Sequence, residues 1–120
     1  MITREQVESL FDRCRKNQKE GRASWSIDGP CKWSFFFVDT DRTKLLRLAK
    51  YLEQCGYESI GFLDPTSGDA PRAVLFLRAD RIEKHSLDSL LSRNAELYAM
   101  AEQFELDDYD GMDVGSVDGP

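Results

Sequence analysis

Apolar residues along this chain change their period several times, and each change marks an element. Between Thr3 and about Glu20 they recur at helical spacing (Val7, Leu10, Phe11, Cys14), and Thr3-Arg4-Glu5-Gln6 fits a capping box, so a first helix is predicted there. Gly21 to Pro30 reads as a connector with a short extended piece at Trp25 and Ile27, closed by the turn signal Asp28-Gly29-Pro30. Lys32 to Val38 then packs Trp33, Phe35, Phe36, Phe37 and Val38 into a run too short for a helix, which predicts a central strand covered on both faces. Asp39, Thr40 and Asp41 offer helix caps, and Leu45, Leu48, Ala49 and Leu52 form the apolar stripe of a second helix that ends at Gly56.

From Tyr57 to Leu63 the pattern alternates, with Ile60 and Phe62 expected on one face. The turn-forming string Asp64 to Asp69 separates this strand from the apolar run Ala73 to Leu77, as in a β-hairpin. Ser86 and Asp88 open a third helix, whose inner stripe is read as Leu87, Leu90, Leu91, Leu97, Ala101 and Phe104 and whose end is expected near Glu105. Asp107 to Val117 sets Met112 and Val114 at alternate positions among Gly and Asp, as suits a short edge strand protected by charge. Without the leading helix the order is strand, helix, strand, strand, helix, strand. That order predicts an α+β, ferredoxin-like sandwich with a four-stranded antiparallel sheet plus an N-terminal helix. The expected organisation is a single domain over 1–120, with helix and connector in 1–30 and the α+β core in 31–117. Two helices would cover one sheet face. Trp33, Phe35 and Phe37 are expected on the other, to be closed by the first helix or a second subunit.

Charge refines this picture. Sixteen basic and 22 acidic residues leave a formal charge of −6, which argues against general nucleic-acid binding. The excess is one-sided: residues 1–50 hold 11 basic and 7 acidic groups, residues 51–120 hold 5 and 15. No run approaches the roughly 20 apolar residues of a membrane span, and Met1 to Asp12 lacks a secretory h-region, so a cytoplasmic protein without a membrane partner is expected. Cys14, Cys31 and Cys55 are odd in number and widely spaced, which suggests neither a disulfide framework nor a zinc knuckle.

Catalytic chemistry has little foothold. The one histidine, His85, has no metal or acid/base partner at helical or hairpin spacing and is read as an exposed structural residue. No nucleophile elbow, phosphate-binding glycine string or redox cysteine pair occurs, so neither enzyme activity nor a cofactor is expected. The chemically loaded segment is Asp107-Asp108-Tyr109-Asp110-Gly111-Met112-Asp113. Asp108, Asp110 and Gly111 match the third, fifth and sixth positions of an EF-hand loop, but Leu106 and Val117 occupy the first and last, so calcium is not expected. An acidic turn offered to a basic protein partner is the functional reading, with Asp107, Asp108, Tyr109, Asp110, Gly111 and Asp113 as the contact set; a solvated turn, with Gly111 serving only a positive φ, is the structural one.

The string from Asn94 to Phe104, containing Ala101-Glu102-Gln103-Phe104, followed by the turn Tyr109-Asp110-Gly111, resembles the C-terminal part of the RraB family, regulators of ribonuclease activity B. As a pattern of elements the resemblance extends over roughly residues 32–117. The tryptophan that often follows the turn in that family is Met112 here, and the basic first helix matches poorly. The resemblance implies a four-stranded α+β sandwich that is not an enzyme, that binds the endoribonuclease E and that slows RNA cleavage. Two other readings stay open beside it: a dimeric ligand-sensing or structural domain joined through Trp33, Phe35 and Phe37, and an immunity-type inhibitor of a toxin nuclease using the same acidic face.

Overall fold

A computed structural model describes residues 2–63 and 74–119. The chain runs α1 (Arg4–Lys19), β1 (Cys31–Asp39), α2 (Arg42–Gln54), β2 (Glu58–Leu63), β3 (Leu75–Glu83), α3 (Leu87–Gln103) and β4 (Asp108–Gly115). The sheet order is β2-β3-β1-β4 and every neighbouring pair is antiparallel. This is the α+β architecture expected, with a connectivity compatible with the ferredoxin-like arrangement. Helices α2 and α3 lie against the sheet, and α1 packs on α3, adding Val7 and Phe11 to the same core.

Local chemistry sets the helix limits. Thr3 caps α1 in a full capping box with Gln6, Asp41 accepts from the backbone of Thr43 at the start of α2, and Ser86 forms a capping box with Ser89 at the start of α3. Helix α2 stops in a Schellman motif: the Tyr57 N–H donates to the Leu52 carbonyl and the Gly56 N–H to Glu53, with Gly56 at φ +96°. The predicted stripe Leu45, Leu48, Ala49 and Leu52 is buried. On α3 the buried positions are Leu90, Asn94, Leu97, Met100 and Ala101. Asn94 and Met100 thus join the expected stripe, whereas Leu87, Leu91 and Phe104 are only partly buried beside it.

Four expectations are corrected by tertiary structure. Trp25 and Ile27 form no strand: their segment is a series of turns, and Ile27 drops into the core as an isolated plug, 1% exposed. Ile60 and Phe62 do not share a face, because the β2–β3 register skips between Ser59 and Gly61; Ile60 becomes the extra residue of a bulge and is 45% exposed, while Phe62 packs on the core. Trp33, Phe35 and Phe37 lie beneath the helices, fully buried, so no second subunit can reach them and a dimer through these residues is ruled out by geometry. The physical reason is plain: the face with the most apolar area is the one the helices of the same chain cover first. His85 is buried, not exposed, as described below.

Strand β3 is also longer than its apolar run, continuing through charged residues to Glu83 because each pairs with a residue of β1, down to Cys31 opposite Glu83. The turn-forming string between β2 and β3 lies outside the described residues.

Candidate functional site

The acidic segment begins where α3 ends. Phe104 is the C-cap, Glu105 takes a left-handed φ of 57°, and the Leu106 N–H returns to the Ala101 carbonyl, closing a Schellman motif without glycine. The Glu105 carbonyl accepts from Lys44 Nζ at 2.9 Å. One residue further, the Asp107 N–H donates to Oδ2 of Asp39 at 3.0 Å; Asp39, 1% exposed, also accepts from the Asp41 N–H and lies 3.7 Å from Lys44. A single buried carboxylate at the end of β1 therefore ties the start of β4 to the start of α2.

The Tyr-Asp-Gly triplet divides three tasks. Tyr109 is an anchor: it is 1% exposed, its ring meets Phe37 at 5.2 Å and Tyr98 at 5.0 Å, and its hydroxyl donates to Asn94 Oδ1 at 2.7 Å. Burial drives its phenol far above the usual tyrosine range. Asp110 is the residue left over where the β1–β4 register shifts between Phe36 and Phe37, so the bulge turns it outward. Gly111, at φ +117°, supplies a conformation that L side chains rarely adopt, which is the structural reading of that glycine.

Of the six expected contact residues, the fold thus presents four. Asp107, just before the edge strand, and Asp108, Asp110 and Asp113 along it are exposed, while Tyr109 and Gly111 are withdrawn from the surface. Asp108 and Asp113 also cap local backbone, accepting from the N–H groups of Tyr109 and Val114 at 2.8 Å.

What the sequence reading passed over is the sheet face turned away from the helices. On β1 that face carries Lys32, Ser34, Phe36 and Val38, the residues between the buried aromatics; the register sets Ile82, Asp80, Arg78 and Phe76 of β3 opposite them, and Asp113 of β4 opposite Ser34. Arg78 grips Asp80 through two hydrogen bonds of 2.9 Å. The segment after β4 runs back across this face, where Lys32 Nζ donates to the Gly119 carbonyl at 2.6 Å. Polar Lys32 and Ser34 alternating with Trp33, Phe35 and Phe37 was the available signal.

His85 belongs to a separate network that closes one end of the sandwich. Its Nε2 lies 2.5 Å from Glu83 Oε2, its Nδ1 lies 2.9 Å from Ser89 Oγ, and its ring meets Trp33 edge-on at 5.4 Å. Glu83 also binds Arg81 at 3.0 Å and Arg93 at 2.5 Å, and both guanidiniums lie over Tyr57. Burial alone would raise the Glu83 carboxyl, but hydrogen bonds from His85 and Arg93 and the Arg93 charge outweigh it, so the net shift is downward. The Ser89 hydroxyl is already engaged in the helix cap, which makes this cluster a structural clasp.

Among the described residues no group of three or more His, Cys, Asp or Glu could hold a metal ion, and no helix is long and apolar enough to cross a membrane. A family model described as regulator of ribonuclease activity B matches residues 8–114. The match takes in most of α1, which the resemblance read from sequence had left aside. No curated protein matches the chain.

Proposed function

This chain belongs to the RraB family of regulators of ribonuclease activity, and from that premise we propose that it is a non-catalytic, cytoplasmic protein that binds ribonuclease E and restrains its cleavage of RNA. The observation that carries this reading is the exposed row Asp107, Asp108, Asp110 and Asp113 on an edge strand held by Tyr109 and Asp39. A pre-ordered row of carboxylates attracts a basic segment at long range and loses little entropy on docking.

Purified ribonuclease E passed over immobilised wild type and over a variant carrying all four Asp→Asn changes tests the reading. Capture by wild type that weakens at moderate salt and is lost in the variant supports it, because contacts between exposed charges are screened over about 8–10 Å. Equal capture by both proteins, or none by either, overturns it. An RNA-cleavage assay with the same two proteins then separates binding from inhibition.

A further inference from the structure

We propose that the sheet face turned away from the helices is a second part of the docking surface, and that the segment it receives is an amphipathic, basic stretch of a partner protein. The inference rests on the reading of this chain as a protein-binding regulator and adds where the partner's apolar side chains go.

Two hollows lie on this face, with Lys32 in the lining of both and residues of the returning C-terminal segment in each. One, of about 390 Å³, is lined by Phe36, Arg78 and Asp113 among others. The second, of about 340 Å³, holds Ile82, Val117 and Glu58. Ile82 is 58% exposed and Val117 38%, so two of the large apolar side chains that the protein leaves in water meet in one hollow. Exposed apolar groups clustered in a concavity with a polar rim mark interaction sites more often than singly scattered ones do.

Charge selects the partner. Glu58, Asp80, Asp108 and Asp113 stand on this face by register, against the cations Lys32 and Arg78, and Arg81, which also lines the second hollow, is paired with Glu83. Arg78 is engaged by Asp80 and Lys32 by Gly119, whereas Glu58 and Asp113 enter no ion pair among the described residues. A nucleic acid would meet net repulsion here. A segment with Leu-like and Lys- or Arg-like side chains at helical spacing would satisfy both the hollows and the carboxylates, packing beside the returning C-terminal segment on the helix-free side of the sheet.

The test uses the full chain, labelled with ¹⁵N, and a synthetic Leu/Lys amphipathic peptide of about 18 residues. A second peptide of equal charge with every Leu replaced by Ser is the control. The expected result is amide shifts in β1, β3 and 113–119, binding of the control about tenfold weaker, and a similar tenfold loss for Ile82→Ser with the amphipathic peptide. Because Ile82 is exposed, this variant keeps the fold, which its unperturbed spectrum verifies. Shifts confined to α1, α2 or residues 107–110, equal binding of the two peptides, no binding, or burial of the face in a homodimer seen by sedimentation would each overturn the inference. Failure of the ribonuclease E reading is distinguishable: the peptide would bind this face while ribonuclease E is not captured. Conversely, capture of ribonuclease E with peptide shifts elsewhere leaves that reading standing and removes this one.

Discussion

Strand β1 presents the same backbone to two different environments. Trp33, Phe35 and Phe37 point under α2 and α3 and have no exposure, whereas Lys32, Phe36 and Val38, one residue away, face a side with no helix and remain partly exposed. The strand is central and hydrogen-bonded along both edges, to β3 and to β4, and both sets of side chains sit on that one backbone, so propensity does not separate them. Packing does: burying an aromatic side chain against helices contributes roughly 1.5–3 kcal/mol, which makes the helical face the source of stability and leaves the other face available for contacts outside the fold. Stability and recognition are thereby divided between alternate residues of one strand.

The largest break in that division is expected on the covered face. Phe35→Ala should lower unfolding free energy by about 3–5 kcal/mol in a urea titration, and Phe36→Ala by less than half as much; equal losses would mean that the open face is also core. Next comes the clasp at the end of the sandwich. Glu83→Gln leaves Arg81, Arg93 and His85 without their carboxylate and should cost about 3 kcal/mol by the same measurement. Since the folded carboxyl titrates below the ordinary value of 4.5, it stabilises the fold above that value, and the contribution disappears as pH falls through the lower folded pKa. Thermal midpoints of wild type should therefore fall with acidification below about 4.5, and less steeply in Glu83→Gln.

Smaller effects belong to the anchor of the acidic turn. Tyr109→Phe keeps the ring contacts but removes the hydrogen bond to Asn94, and should cost about 1–2 kcal/mol while leaving the salt-sensitive capture of ribonuclease E intact. The fourfold Asp→Asn variant should show no change in its urea midpoint, because those carboxylates are solvated, and should change only binding. A large stability loss in that variant would show that the row is structural and would erase the contrast between the two faces.

Elements were legible wherever local chemistry decides. The three helices, their caps at Thr3, Asp41 and Ser86, the stop at Gly56 and the edge strand β4 all follow from short-range signals. The acidic row was legible as composition, and the positive φ of Gly111 as a glycine after Asp110. Non-local facts were not. The bulge that turns Ile60 outward depends on β3, the burial of His85 on Glu83 and Trp33, and the withdrawal of Tyr109 on Asn94 of α3.

Sequence by itself determined the element order, the antiparallel α+β class and the sidedness of charge, because hydrophobic period, capping and turn residues act within a few positions of each other. Tertiary structure alone decided which side of β1 the helices cover, which of the six expected contact residues reach solvent, and that Ile82 and Val117 share a hollow. Those outcomes turn on register and on which apolar surface the chain can bury against itself, and both are settled only when strands far apart in sequence meet.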